Sequence, residues 1–277
     1  VKMIKNISID LLVPFENHPF KKRNGIEHQE LTESIKENGL LEPIIVRSFP
    51  AGKYEIISGH RRVEACKELG ITSIPVTIKE LTKDEAIVQM VDSNIHREHI
   101  LPSEKAFAYK MKSEALKHQG KTSSQVGTKL RADEILAQQA GSSRNQVQRY
   151  IRLTELIPEL MDMVDEKKIA LNPAYELSFL KKEEQVDLLD AMDSEQATPS
   201  LSQAQRLKKY SQEGHLTLDM MRVIMGEEKK SDLDRVTFTS DTLRKYFPKS
   251  YTPQRMQETI IKLLEAWQKK RQRDQER

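Results

Sequence analysis

Strand patterns stop near Pro102, and beyond it the chain reads almost entirely as helix. Ahead of that point, short apolar runs alternate with helical ones. Residues 7–12 form a short alternating run closed by Pro14. Residues 43–47 and 54–57 read as two strands joined by a turn through Pro50, Ala51 and Gly52. Residues 74–78 read as another, with Pro75 marking an edge position or a strand start. Helical patterns at 29–38 and 61–69 are stopped by Gly39 and Gly70, and a third at 82–91 opens with the capping-box spacing Thr82 to Glu85. Mixed elements in front and helices behind define an α+β chain, a small mixed α/β region followed by an all-α one. With 277 residues, more than one core is needed at roughly 100–200 residues per domain. The expected division is 1–101, 102–226 with a helix-turn-helix at 133–153, and a helical 227–277 that holds a possible dimerisation element.

In the second half, helices are expected at 102–118, 123–130, 133–140, 143–153, 158–166, 173–180, 182–192 and 201–213. A polar link follows at 227–234, then a brief strand-like 236–238, a helix at 241–247 and a long helix from Pro253. Aromatic residues are only 5% of the chain, which suits helices better than a β-sandwich. No stretch reaches the roughly 18 apolar residues of a membrane span, so no membrane partner is expected. The first residues lack an apolar secretory core, and a cytoplasmic location is the expectation. The single cysteine, Cys66, excludes an intrachain disulfide and a multi-cysteine metal site.

The most specific pattern is at 133–153. Ala137 lies four residues before Gly141, Val147 six after it, and Tyr150 three further on. A small residue lets two helices approach, glycine allows the sharp turn, and the later apolar positions seat the second helix on the first. Ser142 or Ser143 can cap that second helix. Its outward face would carry Ser143, Arg144, Asn145, Gln146, Gln148, Arg149 and Arg152. Arg can bond guanine bidentately, Asn or Gln can bond adenine, and the remaining arginines neutralise phosphate. Residues 110–152 hold nine Lys/Arg against three acids, a local basic block that fits a polyanion. The alternative is an ordinary helical hairpin with a solvated polar face.

A second constellation is Ser58-Gly59-His60-Arg61-Arg62, directly after the strand at 54–57 and opening a helix. Strand, glycine turn and helix N-terminus present backbone N–H groups, and two arginines add bidentate donors for phosphate. An ordinary turn with two exposed arginines is the alternative. A third polar cluster, 92–98, packs Asp92, Ser93, Asn94, Arg97 and Glu98 into a short connection. There Asn94 and Asp92 could hold a hard cation beside a phosphate held by Arg97, though a solvated loop has the same composition.

In this order the segments resemble the ParB family of partition proteins. Residues 34–47, with Gly39, Pro43, Ile44 and Val46, look like its first box, which the resemblance implies contacts cytidine. Residues 59–65, with Gly59, His60, Arg61, Arg62 and Ala65 after Ser58, resemble its phosphate-binding Gly-Glu-Arg-Arg box. Residues 93–98 and 101–106, with Asn94 and Arg97, are similar to the Glu-Asn-x-x-Arg box that closes the nucleotide site. The resemblance implies a ParB/sulfiredoxin-like N-terminal domain that binds CTP and Mg²⁺, with Asn94 toward the metal. It also implies a homodimer that loads on a centromere-like site in double-stranded DNA, closes as a clamp when CTP binds and slides, with a ParA-like ATPase as partner. His60 and Ser93 stand where the family has glutamate, and the second of those is implied in Mg²⁺ binding and CTP hydrolysis. Weak CTP hydrolysis at most is therefore expected. A sulfiredoxin reading fails because Gly59 occupies the place of the reactive cysteine, and a free-serine kinase reading because Ser58 occupies the place of an acid. The rival is a helix-turn-helix transcription or replication regulator with a vestigial nucleotide fold. In the C-terminal helix, Met256, Ile260, Ile261, Leu263, Leu264 and Trp267 form an apolar stripe, either a dimer interface or a surface packed on Leu243, Tyr246 and Phe247.

Overall fold

Alternation of side chains along two central strands organises the first half. Ile44, Val46 and Ile56 point to one face of the sheet and Ile45 and Ile57 to the other, as a period of two requires. The computed structural model describes residues 4–21, 25–95, 97, 99–122, 132–227, 243, 245–248 and 250–275. It separates into two units, 1–227 and 228–277.

In the first unit, strands β1 (Ile4–Ser8), β2 (Leu12–Val13), β3 (Ile44–Phe49), β4 (Lys53–Ser58) and β5 (Ser73–Lys79) form one mixed sheet in the order β1-β5-β3-β4-β2. Helices α1 (Ile26–Asn38) and α2 (His60–Glu68) cover one face through Ile35, Val63, Ala65 and Cys66. Helices α3 (Lys83–Asp92) and α4 (Pro102–Thr122) cover the other through Ala86, Ile87, Met90, Val91, Ala108 and Ala115. Burial pushes the Cys66 thiol pKa up, outweighing the nearby Arg62 charge that lowers it. The alternating run at 7–12 is not one strand. A 3-10 turn, Ile9–Leu11, breaks it, so β1 and β2 lie on opposite edges of the sheet. Pro75 is not on an edge strand, since β5 is paired on both sides. Pairing with β3 begins only at Ile44 with Val76, so that side requires no donor from the proline.

The capping box at α3 forms as expected: Thr82 Oγ1 accepts from the Glu85 amide, and Glu85 Oε2 accepts from the Thr82 amide at 2.8 Å. At α4 the first-turn acid does more than meet a dipole. Glu104, 3% exposed, accepts from the Leu101 amide at 2.9 Å and from the Lys21 amide at 2.8 Å, joining the loop after β2 to the start of α4.

Beyond α4 come α5 (Ala132–Gln139), α6 (Arg144–Leu153), α7 (Pro158–Asp165), α8 (Leu171–Leu177), α9 (Lys182–Ser194), α10 (Leu201–Gln212) and α11 (Leu218–Met225). Leu153, Leu160, Leu177, Leu188, Leu207 and Met221 are their shared core. Helix α11 was not expected from the sequence. Thr217 caps it, and Met221, Ile224 and Met225 bury its inner face. In the second unit, α12 (Pro253–Gln275) follows a turn in which Thr252 accepts from the Arg255 amide. Met256 is buried there, whereas Ile261, Leu263, Leu264 and Trp267 are exposed. The expected helix at 123–130 and strand at 236–238 lie outside the described residues, as do most of the link at 227–234 and residues 241, 242 and 244 of the helix expected at 241–247. Among the described residues no helix is long and apolar enough to cross a membrane.

One charge is buried where the sheet domain meets the helices. Lys112 on α4 has no solvent exposure, and its ammonium donates to Asp92 at the end of α3 and to Gln139 at the end of α5. Replacing Lys112 with Met leaves both partners without their donor. Urea unfolding is expected to show a loss of about 3 kcal/mol, the low end for a broken buried pair because Asp92 is 41% exposed and can rehydrate. An unchanged midpoint would show the contact to be energetically idle.

Candidate anion site and nucleic-acid interface

Gly59 sits between β4 and α2 at φ +105°. A Cβ there would lie 2.6 Å from Ile44 Cδ1 and 3.1 Å from the Arg62 guanidinium, so glycine is required both by backbone conformation and by space. The turn puts His60, Arg61 and Arg62 in the first turn of α2, all half-buried. Arg61 Nη1 lies 3.5 Å from Glu27 on α1, and its Nε is buried with no hydrogen-bond partner among the described residues. Arg62 Nη1 donates to the Glu42 carbonyl at 2.8 Å and lies 3.5 Å from its carboxylate. Both carboxylates are mostly exposed, so the ion pairs are weak ones that a phosphate could displace.

The expected site residues divide by depth. Ser58 is half-buried beside the turn, Gly39 is the exposed C-cap of α1 at φ +70°, and Pro43 is half-buried. Ile44, Val46 and Ala65 are fully buried in the core, where their side chains hold the turn in place and only their backbone could meet a ligand. The segment after β2 adds a wall that the sequence reading missed. The Phe15 amide donates to His60 Nε2 at 3.4 Å, the His18 ring stands edge-on 4.3 Å from that of His60, and the Arg97 guanidinium lies 5.6 Å over Phe20. The signal available was His18-Pro19-Phe20, an aromatic group set between a strand and a helix; its approach to His60 spans 42 residues and was not local.

Residues 92–95 continue in helix and turn. α3 runs through Asp92, and Ser93 is its helical C-cap. Asn94 is 4% exposed and turned back, its amide donating to the Met90 carbonyl at 2.7 Å, and the Ser93 hydroxyl donates to the same carbonyl. Asp92 is taken up by Lys112. The donor set therefore does not fit a protein-held Mg²⁺, which prefers carboxylates and keeps several waters. No carboxylate from the described part of this segment is left for it, and among the described residues no cluster of three or more His, Cys, Asp or Glu could hold a metal.

In the helical half, α5 and α6 form the expected bent pair. Gly141 turns at φ +58°, and the Ser142 amide donates to the Ala137 carbonyl. Ser143 caps α6 by accepting from the Gln146 amide. Val147, Leu136 and Ala137 are buried with Tyr109 of α4, whose ring meets Tyr150 edge-on at 5.8 Å. On the outer face Ser143, Arg144, Asn145, Gln148 and Arg149 are exposed and Gln146 is half-buried. Arg149 Nη1 donates to Asn172 Oδ1 at 3.2 Å and packs over Tyr175. Arg152 departs from the expected outward face. It is half-buried, stacked 4.3 Å over Phe179 with Nη2 donating to the Ser178 carbonyl, because α8 ends directly beside it. Asp133, 8% exposed on α5, accepts at one oxygen, Oδ2, from Arg144 Nε at 2.6 Å and from Gln148 Nε2 at 3.0 Å. Burial opposes its charge, but those two bonds and the Arg144 charge outweigh it and hold the carboxyl below its usual pKa.

Comparison with known proteins matches residues 1–95 to the ParB N-terminal domain and 125–199 to the ParB HTH domain. The chain is 30% identical over 195 residues to the probable chromosome-partitioning protein ParB of Vibrio cholerae, across 70% of this chain and 62% of that one. It is 30% identical over 206 residues to a nucleoid occlusion protein of a Geobacillus species, across 74% of this chain and 69% of the other. The chain thus spans about three-fifths of the first curated relatives it matches. Among solved structures it is similar to the C-terminally truncated ParB of Caulobacter crescentus. Complexed to the centromeric parS site, that protein matches at 22% identity and TM-score 0.45, over 80% of this chain and 98% of that one. Complexed with CTP-gamma-S, it matches at 24% and 0.33, over 69% and 99%.

The half-buried imidazole of His18 makes stability pH-dependent. Desolvation lowers its pKa most and nearby Arg97 adds to this, while the Phe20 carbonyl and Glu104 oppose them without restoring it. The unfolded chain therefore binds this proton more readily than the folded one. The contribution of His18 is present above its ordinary pKa of about 6.5 and is lost as pH falls below it. Urea midpoints should drop between about pH 7.5 and 5.5, and His18→Gln should flatten that drop. Parallel profiles for the two proteins would refute the assignment.

Proposed function

The chain belongs to the ParB family, and on that premise we propose that it is a partition protein that binds a specific site in double-stranded DNA through α5 and α6. Its N-terminal domain acts as a CTP-responsive element that closes a dimeric clamp. The observation that carries this reading is the face of α6. Asn145, Gln148 and Arg149 project from a helix seated on α5 by Val147, leaving amide and guanidinium groups available to a major groove. The basic window at 110–152 supplies the attraction to phosphate. Gly59 and the two arginines of α2 support a triphosphate at the sheet end, with Ser58, Gly59, His60, Arg61 and Arg62 around the phosphates and Arg97 closing from the side. The exposed stripe of Ile261, Leu263, Leu264 and Trp267 supports a homodimer through α12.

We further propose that CTP is bound more readily than it is hydrolysed. Ser93 carries no charge to place a metal, Asn94 is spent on the Met90 carbonyl, and Asp92 is held by Lys112. A divalent ion would then come with the nucleotide's phosphates.

The test uses the whole chain. Duplexes are selected from a random pool, and accumulation on a closed circle carrying the selected site is measured with and without CTP. CTP-dependent accumulation on the circle that is lost on linear DNA is expected. Site binding without any response to CTP would favour a helix-turn-helix regulator with a vestigial nucleotide fold. Arg61→Ala should abolish the CTP response and leave site binding intact. Arg149→Ala should weaken site binding by about 1–3 kcal/mol if it reads a base, or lower the salt slope by about one if it holds a phosphate.

A further inference from the structure

Among the groups around α6, one carboxylate is placed where it can set the geometry of two others. Asp133 lies in the first turn of α5, nearly buried, opposite the side of α6 that carries residues 144 and 148. These two are one helical turn apart, and both donate to the same oxygen of Asp133. Arg144 uses Nε for this bond, and 44% of its side chain is exposed. That geometry leaves the Nη1/Nη2 end for a second partner. Two parallel donors at that end match the O6 and N7 acceptors of guanine. Gln148 uses one Nε2 hydrogen on Asp133, so its carbonyl oxygen and its second Nε2 hydrogen are left for a ligand. A carboxylate can only accept, and this fixes the amide orientation chemically.

We propose that Asp133 is a positioning residue for sequence readout: it aligns Arg144 for a guanine and fixes which way the Gln148 amide faces at a base edge. Two long side chains held before contact lose less rotamer freedom when DNA arrives. A carboxylate facing a polyanion also repels non-specific backbone, so the same residue trades general affinity for discrimination. This rests on the proposal that α6 enters the groove.

The test compares wild type, Asp133→Ala and Asp133→Asn on the selected duplex, on every single-base variant of it and on a random duplex. Thermal melting verifies that each variant is folded. Wild type should prefer guanine at one position by about tenfold or more. Asp133→Ala should flatten that preference to about twofold, bind the random duplex more tightly and steepen its salt dependence. Asp133→Asn, which keeps an acceptor but no charge, should lie between them, and it carries the test if the alanine variant does not fold. In an Arg144→Ala background, Asp133→Ala should no longer alter the preference at that position. A folded variant at Asp133 with the wild-type base profile would overturn the inference and leave groove binding by α6 standing. Failure of the wild-type chain to enrich any sequence would remove groove binding, and the inference with it.

Discussion

Lys112 brings three helices to one point, and much of the first unit is organised around it. Its ammonium has left water entirely, which is tolerable only because Asp92 supplies charge and Gln139 a second acceptor. Asp92 ends α3 next to the Ser93-Asn94 segment of the candidate nucleotide site. Gln139 ends α5, the helix whose first turn holds Arg144 and Gln148 through Asp133. The amine on α4 is therefore bonded to both candidate sites' supporting helices, and neither α3 nor α5 can shift along α4 without disturbing a buried charge.

The sheet supplies the other constraint. With helices on both faces, its strand ends become the place where backbone is turned sharply and polar groups collect. Gly59 is the narrowest such place, because Ile44 of the neighbouring strand leaves no room for a side chain. The loop after β2 closes over the same end through His18 and Phe20, and Glu104 ties that loop to α4. The two arginines of α2, a half-buried imidazole pair and the start of the long helix thus share one corner of the sheet domain.

How much of this was readable in advance depended on distance along the chain. The bent pair α5–α6 was legible because glycine conformation, serine capping and apolar spacing act within a few residues of one another. The capping box of α3 was legible for the same reason. Helix α11 was missed: Met221, Ile224 and Met225 have helical spacing, but the segment is short and ends in a charged stretch. Of the residues expected around the nucleotide, Ile44, Val46 and Ala65 lie in the core, since a motif marks a region without saying which side of a strand or helix faces a ligand.

From the residues alone came the change from mixed α/β to helix near Pro102, the glycine turns and the polar face of α6, because local conformation and periodicity decide such features. Tertiary structure decided which polar groups remain available. Asn94 turns inward to a helix end, Arg152 stacks on Phe179, Asp92 meets Lys112, and Asp133 takes hold of Arg144 and Gln148. All but the first of these pairings join residues from different elements, whose separation is set by packing, and no local pattern encodes it.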